Sequence, residues 1–223
     1  MIRAQALEKS YQVNGRTLAV IHPMDLHIKA ASFSAIQGRS GSGKTTLLTL
    51  LSGLDRPTGG RLILDEDDIT DWPESRMAAF RNSKIGFVFQ DFHLIPGMTA
   101  LENVLFPAEL SGSSHARERA ESLLRQVGLW ERRKHLPRQL SGGEQQRVAI
   151  CRAVVNRPKI IFADEPTGNL DSAAADGVMQ LLVDLKEQEG ATLVVVTHSA
   201  EVAEQADRVI TLADGEVAHD SGA

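Results

Sequence analysis

Apolar and polar residues alternate loosely from Ile2 to Lys29, the two-residue period of half-buried strands, and Asn14-Gly15 interrupts them with a hairpin signal. Short apolar runs come next at Ser32–Ile36, Arg61–Leu64, Ile85–Phe89, Lys159–Ala163 and Thr192–Thr197, and they predict buried strands. Pro57-Thr58-Gly59-Gly60 reads as a turn. Asp65 to Asp68 reads as a solvated hairpin tip, since the glycine and terminal glutamate of a calcium loop are missing. Helical spacing appears at Thr46–Leu51, and again at Ala120, Leu123, Leu124 and Val127 with Arg117, Glu118, Glu121 and Arg125 opposite. Thr99 with Glu102, and Ser141 with Glu144, have capping-box form; the second opens a helix running to about Val155. Further helices are expected over roughly Ser172–Gln188 and Glu201–Ala206, then two strands around Asp214-Gly215. Leu94 to about Pro137 is mainly helical and inserted between strand-bearing segments. Buried strands alternating with helices predict an α/β fold with a mainly parallel sheet. Ligands of such sheets bind beyond the strand C-termini, where Gly38, Gln90, Asp164 and His198 all fall.

Composition narrows the function classes. A chain of 223 residues is one large domain or two packed lobes, ample to bury a core. Its net charge of −5 gives no electrostatic reason to expect a nucleic-acid partner. Arg132-Arg133-Lys134 alone reads as solvated surface. No apolar run approaches the ~20 residues of a membrane span, and no secretory leader is evident. A single cysteine, Cys151, excludes an internal disulfide and fits a reducing compartment. The expectation is a cytoplasmic protein that would serve a membrane only through another chain.

Candidate chemistry centres on Gly38-Arg39-Ser40-Gly41-Ser42-Gly43-Lys44-Thr45, set between a strand and the helix that continues through Thr46. Consecutive backbone N–H groups and the positive end of a helix dipole converge there, which suits phosphate. In this reading Lys44 reaches the β- and γ-phosphates and the Thr45 hydroxyl ligates Mg²⁺. Asp164, after four apolar residues, holds the same Mg²⁺ through water; Glu165 is the candidate base for the attacking water. The alternative is a capping or surface acidic pair. Tyr11 is equally an adenine-stacking ring or a cross-strand packing residue, and His198 alone reads as a core histidine. Phe92, Leu94, Ile95 and Pro96 form an apolar segment inside a loop, suited to the core or to a partner.

Leu140-Ser141-Gly142-Gly143-Glu144-Gln145-Gln146-Arg147 resembles the signature of ATP-binding cassette (ABC) ATPases. With the phosphate loop, Ile160–Glu165, Asn169-Leu170-Asp171 and His198, the likeness covers the whole chain in motif order. It implies a RecA-like P-loop core, residues 1–90 and 150–223 with an antiparallel β part, and a helical subdomain at about 91–149 carrying the signature. By the same resemblance Tyr11 stacks adenine, Gln90 senses Mg²⁺, Asn169 to Asp171 cross a dimer interface, and His198 contacts the γ-phosphate. A glycine pair at a helix N-terminus is a second anion site, so Leu140 to Glu144 would close on ATP held by another chain. Two copies would sandwich two Mg-ATP and drive an integral membrane permease-type subunit at the inner membrane. Leu94, Ile95 and Pro96 would line the groove that receives it. Phe87–Gln90, Leu94–Pro96 and Phe162–Asp171 resemble the macrolide-export and lipoprotein-release ATPases (MacB- and LolD-like), and within them the YbbA-like branch. A rival within the resemblance is an ATPase that regulates a periplasmic enzyme through a membrane partner and moves no cargo. Gln37 and Ser199 depart from the family pattern without removing a catalytic group.

Overall fold

The computed structural model describes residues 1–222, apart from the side chain of Ala173. Its strands are β1 (Ile2–Val13), β2 (Arg16–Ile28), β3 (Phe33–Gly38), β4 (Gly59–Leu64), β5 (Asp67–Asp68), β6 (Ile85–Phe89), β7 (Ile160–Asp164), β8 (Thr192–Val196), β9 (Arg208–Ala213) and β10 (Glu216–Asp220). Its helices are α1 (Lys44–Leu51), α2 (Glu74–Lys84), α3 (Ala100–Leu110), α4 (Ala116–Gln126), α5 (Gly142–Val154), α6 (Ser172–Glu189) and α7 (Ala200–Glu204). They fall into two compact units, Met1–Ala78 with the chain from Thr192 onward, and Ala79–Ala191.

The first unit begins with an antiparallel sheet in the order β2-β1-β4-β5. Asn14 and Gly15 turn the β1–β2 hairpin with φ of 50° and 75°, the paired positive values of a type I′ turn. Asp65 and Glu66 join β4 to β5 the same way without a glycine, at φ 47° and 78°, so the acidic run is a hairpin tip. In the same unit β3 runs parallel to both β8 and β9, pairing Ile36 with Val196 and Gly38 with Leu212. Flanked on both sides, β3 cannot shift register, and its C-terminus is a fixed platform for the phosphate loop. Helix α1 buries Leu47, Leu48, Leu50 and Leu51, which anchors the other end of that loop.

In the second unit β6 and β7 are parallel, with Phe89 opposite Asp164, so Gln90 and Glu165 leave the sheet side by side. Phe87 stacks on Phe89 and on Phe162, at centroid separations of 5.3 and 5.7 Å. Helices α3 and α5 open with the complete capping boxes read from the sequence, at Thr99/Glu102 and Ser141/Glu144. The basic run at 132–134 is more than a solvated surface. Trp130 carries the guanidinium groups of Arg125 and Arg133 over its ring, at 3.7 and 4.0 Å from the centroid. Helix α2 lacks a readable helical period in the sequence, because Met77 and Phe80 are its buried apolar side chains. Pro73 before Glu74, and Arg81 and Lys84 at its end, are the helix-terminus preferences that mark it instead.

Asn103 organises the loop between β6 and α3. It is fully buried, and its Oδ1 accepts the Ile95 N–H at 2.7 Å. Its Nδ2 donates to the carbonyls of Ile95, Met98 and Thr99 at 3.0–3.2 Å. Asn103→Ala leaves the Ile95 N–H and the Met98 carbonyl without these bonds, while the Ile95 and Thr99 carbonyls keep main-chain partners, and is expected to cost about 2–3 kcal/mol. Urea unfolding measures that loss, and limited proteolysis should cut earliest within residues 94–99.

Candidate functional site

The first unit presents the phosphate loop as a pre-shaped concavity. A Cβ on Gly38 would stand 2.4 Å from the Leu212 carbonyl oxygen and 2.6 Å from the Ser42 hydroxyl, so only glycine ends β3 this tightly. Gly43 is the N-cap of α1 at φ 98° and supplies no side-chain cap, leaving the first helical N–H groups for an anion. The Lys44 ammonium is drawn over the loop by the carbonyls of Gly38 and Arg39, at 2.9 and 3.0 Å. Ser42 is 4% exposed and, among the described residues, its hydroxyl has no hydrogen-bond partner, an orphan of the kind that an anion can satisfy. Residues Gln37 to Ser42 share a cleft of about 700 Å³ with His198 and the β9 end, Thr211 to Asp214. His198 is exposed there and is not a core histidine.

The two departures from the family pattern touch each other beside this cleft. Gln37 donates its side-chain amide to the Ser199 carbonyl at 3.3 Å, while the Ser199 hydroxyl caps α7 through the Val202 N–H. Tyr11 is 37% exposed and donates its hydroxyl to Asp55 at 2.7 Å, with the Lys9 ammonium 4.8 Å from its ring centroid. Burial and then the Asp55 carboxylate push the Tyr11 phenol above its ordinary value, which keeps it a donor. Burial opposes ionisation of Asp55, but hydrogen bonds from Lys9 and Tyr11 outweigh it and hold its carboxyl below the usual range. One edge of a phenol ring is thereby fixed while much of the ring stays accessible.

The second unit gathers Gln90, Asp164, Glu165, the signature and the 169–171 turn. Glu165 has φ 46°, a left-handed backbone that costs a non-glycine residue roughly 1–2 kcal/mol and turns the chain sharply off β7. Gln90 and Asn169 exchange hydrogen bonds. The Gln90 amide donates to Asn169 Oδ1 at 3.1 Å, and Asn169 Nδ2 donates to the Gln90 carbonyl at 3.2 Å and to Asp91 at 2.8 Å. Asp171 caps α6 by accepting the Ala174 N–H at 2.9 Å. Signature residue Leu140 is buried, whereas Ser141 is exposed. The Ser141 hydroxyl accepts from the Glu144 N–H at 3.3 Å, so its own proton remains available to donate. Added Cβ atoms on Gly142 and Gly143 would lie 3.4 Å from Leu170 and 3.3 Å from Ala174, so the signature and the 169–171 turn are packed together.

Beyond Gln90, Leu94 and Ile95 are half-buried and Pro96 is exposed, and Phe92 is half-buried with its ring tip near Gly142. Phe106 and Leu110 on α3 carry no signal that singles them out in the sequence, yet they are 37% and 67% exposed. Their spacing of four places them on one helix stripe, apart from the buried Val104, Leu105 and Ala108. Cys151 is fully buried and its thiol is pushed up to about 12, which leaves it inert. Thr45, Gln90 and Asp164 offer a hydroxyl, an amide and one carboxylate. Each is a hard oxygen donor of the kind that Mg²⁺ takes.

The ABC transporter family model matches residues 21–168. The lipoprotein-releasing system ATP-binding protein LolD of Idiomarina loihiensis is 46% identical over 217 residues, 96% of this chain and 95% of its own. The macrolide export ATP-binding/permease protein MacB of Rhodopirellula baltica is 48% identical over 224 residues, but these are 33% of its length. Among solved structures, the dimeric post-hydrolysis ATP-binding cassette MJ0796 bound to ADP and Pi superposes with a TM-score of 0.91 at 42% identity, covering 99% of this chain and 98% of that one.

The Glu144 carboxylate ties the signature's cap to solution pH. Its acceptance of the Ser141 N–H, at 2.8 Å, is the main cause that holds its carboxyl below the ordinary 4.5. A depressed folded pKa adds stability above the unfolded value and loses it as pH falls through the folded one. Gln keeps the acceptor and loses the charge, so wild type should exceed Glu144→Gln by roughly 0.3–1 kcal/mol at neutral pH. The margin should begin to shrink below pH 4.5 and vanish in stronger acid, as read from melting temperatures across pH.

Proposed function

The chain belongs to the ABC transporter family of ATP-binding proteins, and we propose that two copies sandwich two Mg-ATP and drive an integral membrane subunit. Its fold is accordingly the RecA-like P-loop α/β fold with an antiparallel N-terminal sheet, and its activity is hydrolysis of ATP to ADP and phosphate. The observation that carries the reading is the cleft shared by the phosphate loop and His198 in a chain so similar to a cassette dimer that holds ADP and Pi. We take residues 1–90 and 150–223 as the ATP-binding core and about 91–149 as the helical subdomain.

In this reading Gly38 to Thr46 bind the phosphates through main-chain N–H groups, and Lys44 neutralises them. Tyr11 offers its anchored ring to adenine. Thr45, Gln90 and Asp164 hold Mg²⁺, which shields phosphate charge. Glu165 removes a proton from the attacking water, and His198 donates to the γ-phosphate as charge develops on it. Leu140 to Glu144 cover the nucleotide of the second copy, with the Ser141 proton and the open end of α5 as donors. Asn169, Leu170 and Asp171 face that copy. Among the described residues no helix is long and apolar enough to cross a membrane. The likeness to the LolD and MacB ATP-binding proteins supports a place at the cytoplasmic face of the inner membrane, held there by the membrane subunit. The partner's helix would lie along Leu94, Ile95 and Pro96, extended by Phe106 and Leu110, as in helix-in-groove recognition.

Glu165→Gln keeps size and loses the base, so turnover should fall by at least ~10²-fold while ATP stays bound in a locked dimer seen by light scattering. Lys44→Ala should instead lose ATP affinity and stay monomeric. Unchanged turnover in the first variant refutes the role of Glu165.

Leu94→Asp and Phe106→Asp should each reduce co-purification of the membrane subunit. ATPase activity of the isolated protein and its melting temperature should remain near wild type. Normal recovery of the subunit with both variants would move the docking surface elsewhere.

A further inference from the structure

Gln146 lies on α5, two residues past the capping box, and is completely buried. Its Nε2 has two protons and meets two main-chain acceptors, the Phe89 carbonyl at 3.3 Å and the Pro166 carbonyl at 2.5 Å. Phe89 immediately precedes Gln90, and Pro166 immediately follows Glu165. Its Oε1 is buried and has no hydrogen-bond partner among the described residues. Reversing the amide would set that oxygen against two carbonyl oxygens, so one orientation alone is allowed. A side chain placed here only to fill space would be apolar, since an unbonded buried oxygen is a cost that leucine or methionine avoids. Its two donors are what the position uses.

The same helix grips the loop on the far side of Gln90. Arg152 donates to the carbonyls of Phe92 and His93, at 2.8 and 2.5 Å. These two residues have left-handed backbones, with φ of 60° and 47°. Such a turn points consecutive carbonyls away from any regular ladder, and the guanidinium fork satisfies both. Asn169 holds Gln90 itself from the other direction. The strand end before Gln90, the loop after it, and the turn after Glu165 are thereby fastened to the helix that begins at Ser141.

We propose that Gln146 is a positioning residue for ATP hydrolysis: its amide locks the backbone beside Gln90 and beside Glu165 to the signature helix. Movement of the signature onto a nucleotide then carries the base and the Mg²⁺-sensing amide with it. Gln146 itself touches neither nucleotide nor water. This rests on Glu165 being the base, as proposed above.

Gln146→Met keeps the volume and removes both donors. Its KM for ATP should stay within about twofold, because the phosphate loop lies in the other unit, while kcat falls by roughly 10- to 100-fold. In a Glu165→Gln background the same change should add less than about a threefold loss, because there is no base left to misplace. Independent, multiplying losses would show that Gln146 acts elsewhere and would overturn the proposal. So would a wild-type kcat, or a fall in kcat matched by equal weakening of ATP binding. Normal turnover of Glu165→Gln alone would indict the base and not Gln146. Should Gln146→Met fail to fold, the unaltered protein still decides. Its two Gln146 amide protons should resist solvent exchange both with and without ATP, and exchange as fast as a surface glutamine in either state overturns the lock.

Discussion

A chain can offer its own N–H groups to a phosphate only where neither strand nor helix consumes them. That interruption has to be held open by packing on both sides, or the loop would close on itself. Here β3 is paired on both edges, and α1 is anchored by four buried leucines, Leu47, Leu48, Leu50 and Leu51. The contact of Gly38 against the Leu212 carbonyl and the Ser42 hydroxyl sets the loop's curvature. Ser42 and Lys44 acquire their places from that curvature, and the loop shares its cleft with His198 beyond the end of β8.

The second unit meets a different demand. Beside its candidate site residues the backbone leaves regular structure, at Phe92, His93 and Glu165, each with positive φ. Main-chain carbonyls at such points lose their ladder partners and must be paired by something else. Buried and half-buried polar side chains add bonds there: Asn103 to residues 95–99, Arg152 to 92 and 93, and Gln146 to 89 and 166. Those bonds tie the irregular loops to helices α3 and α5.

The termini of the helices divide the labour. Gly43 leaves the N-terminus of α1 uncapped and receptive to an anion. Ser141 with Glu144 closes a capping box on α5 that occupies the Ser141 and Glu144 N–H groups, and the exposed Ser141 hydroxyl keeps a proton to donate. An uncapped end leaves all its first N–H groups for one anion, whereas a capping box leaves fewer.

Short-range chemistry was legible in the amino-acid order. Paired positive φ values at Asn14-Gly15, the capping boxes at Thr99 and Ser141, the glycine loop and the buried strands all depend on a few neighbouring residues. Backbone preference acts over that range, so these features were readable. Helix α2 was not, because two buried apolar residues give too weak a period. Pairings between distant parts of the chain needed the folded molecule. Tyr11 meets Asp55 across 44 residues, Gln146 meets Phe89 across 57, and Gln90 meets Asn169 across 79. No local propensity aims a buried amide. Its direction depends on which distant carbonyls the folded sheet and loops leave unpaired, and those exist only once strand register has been fixed.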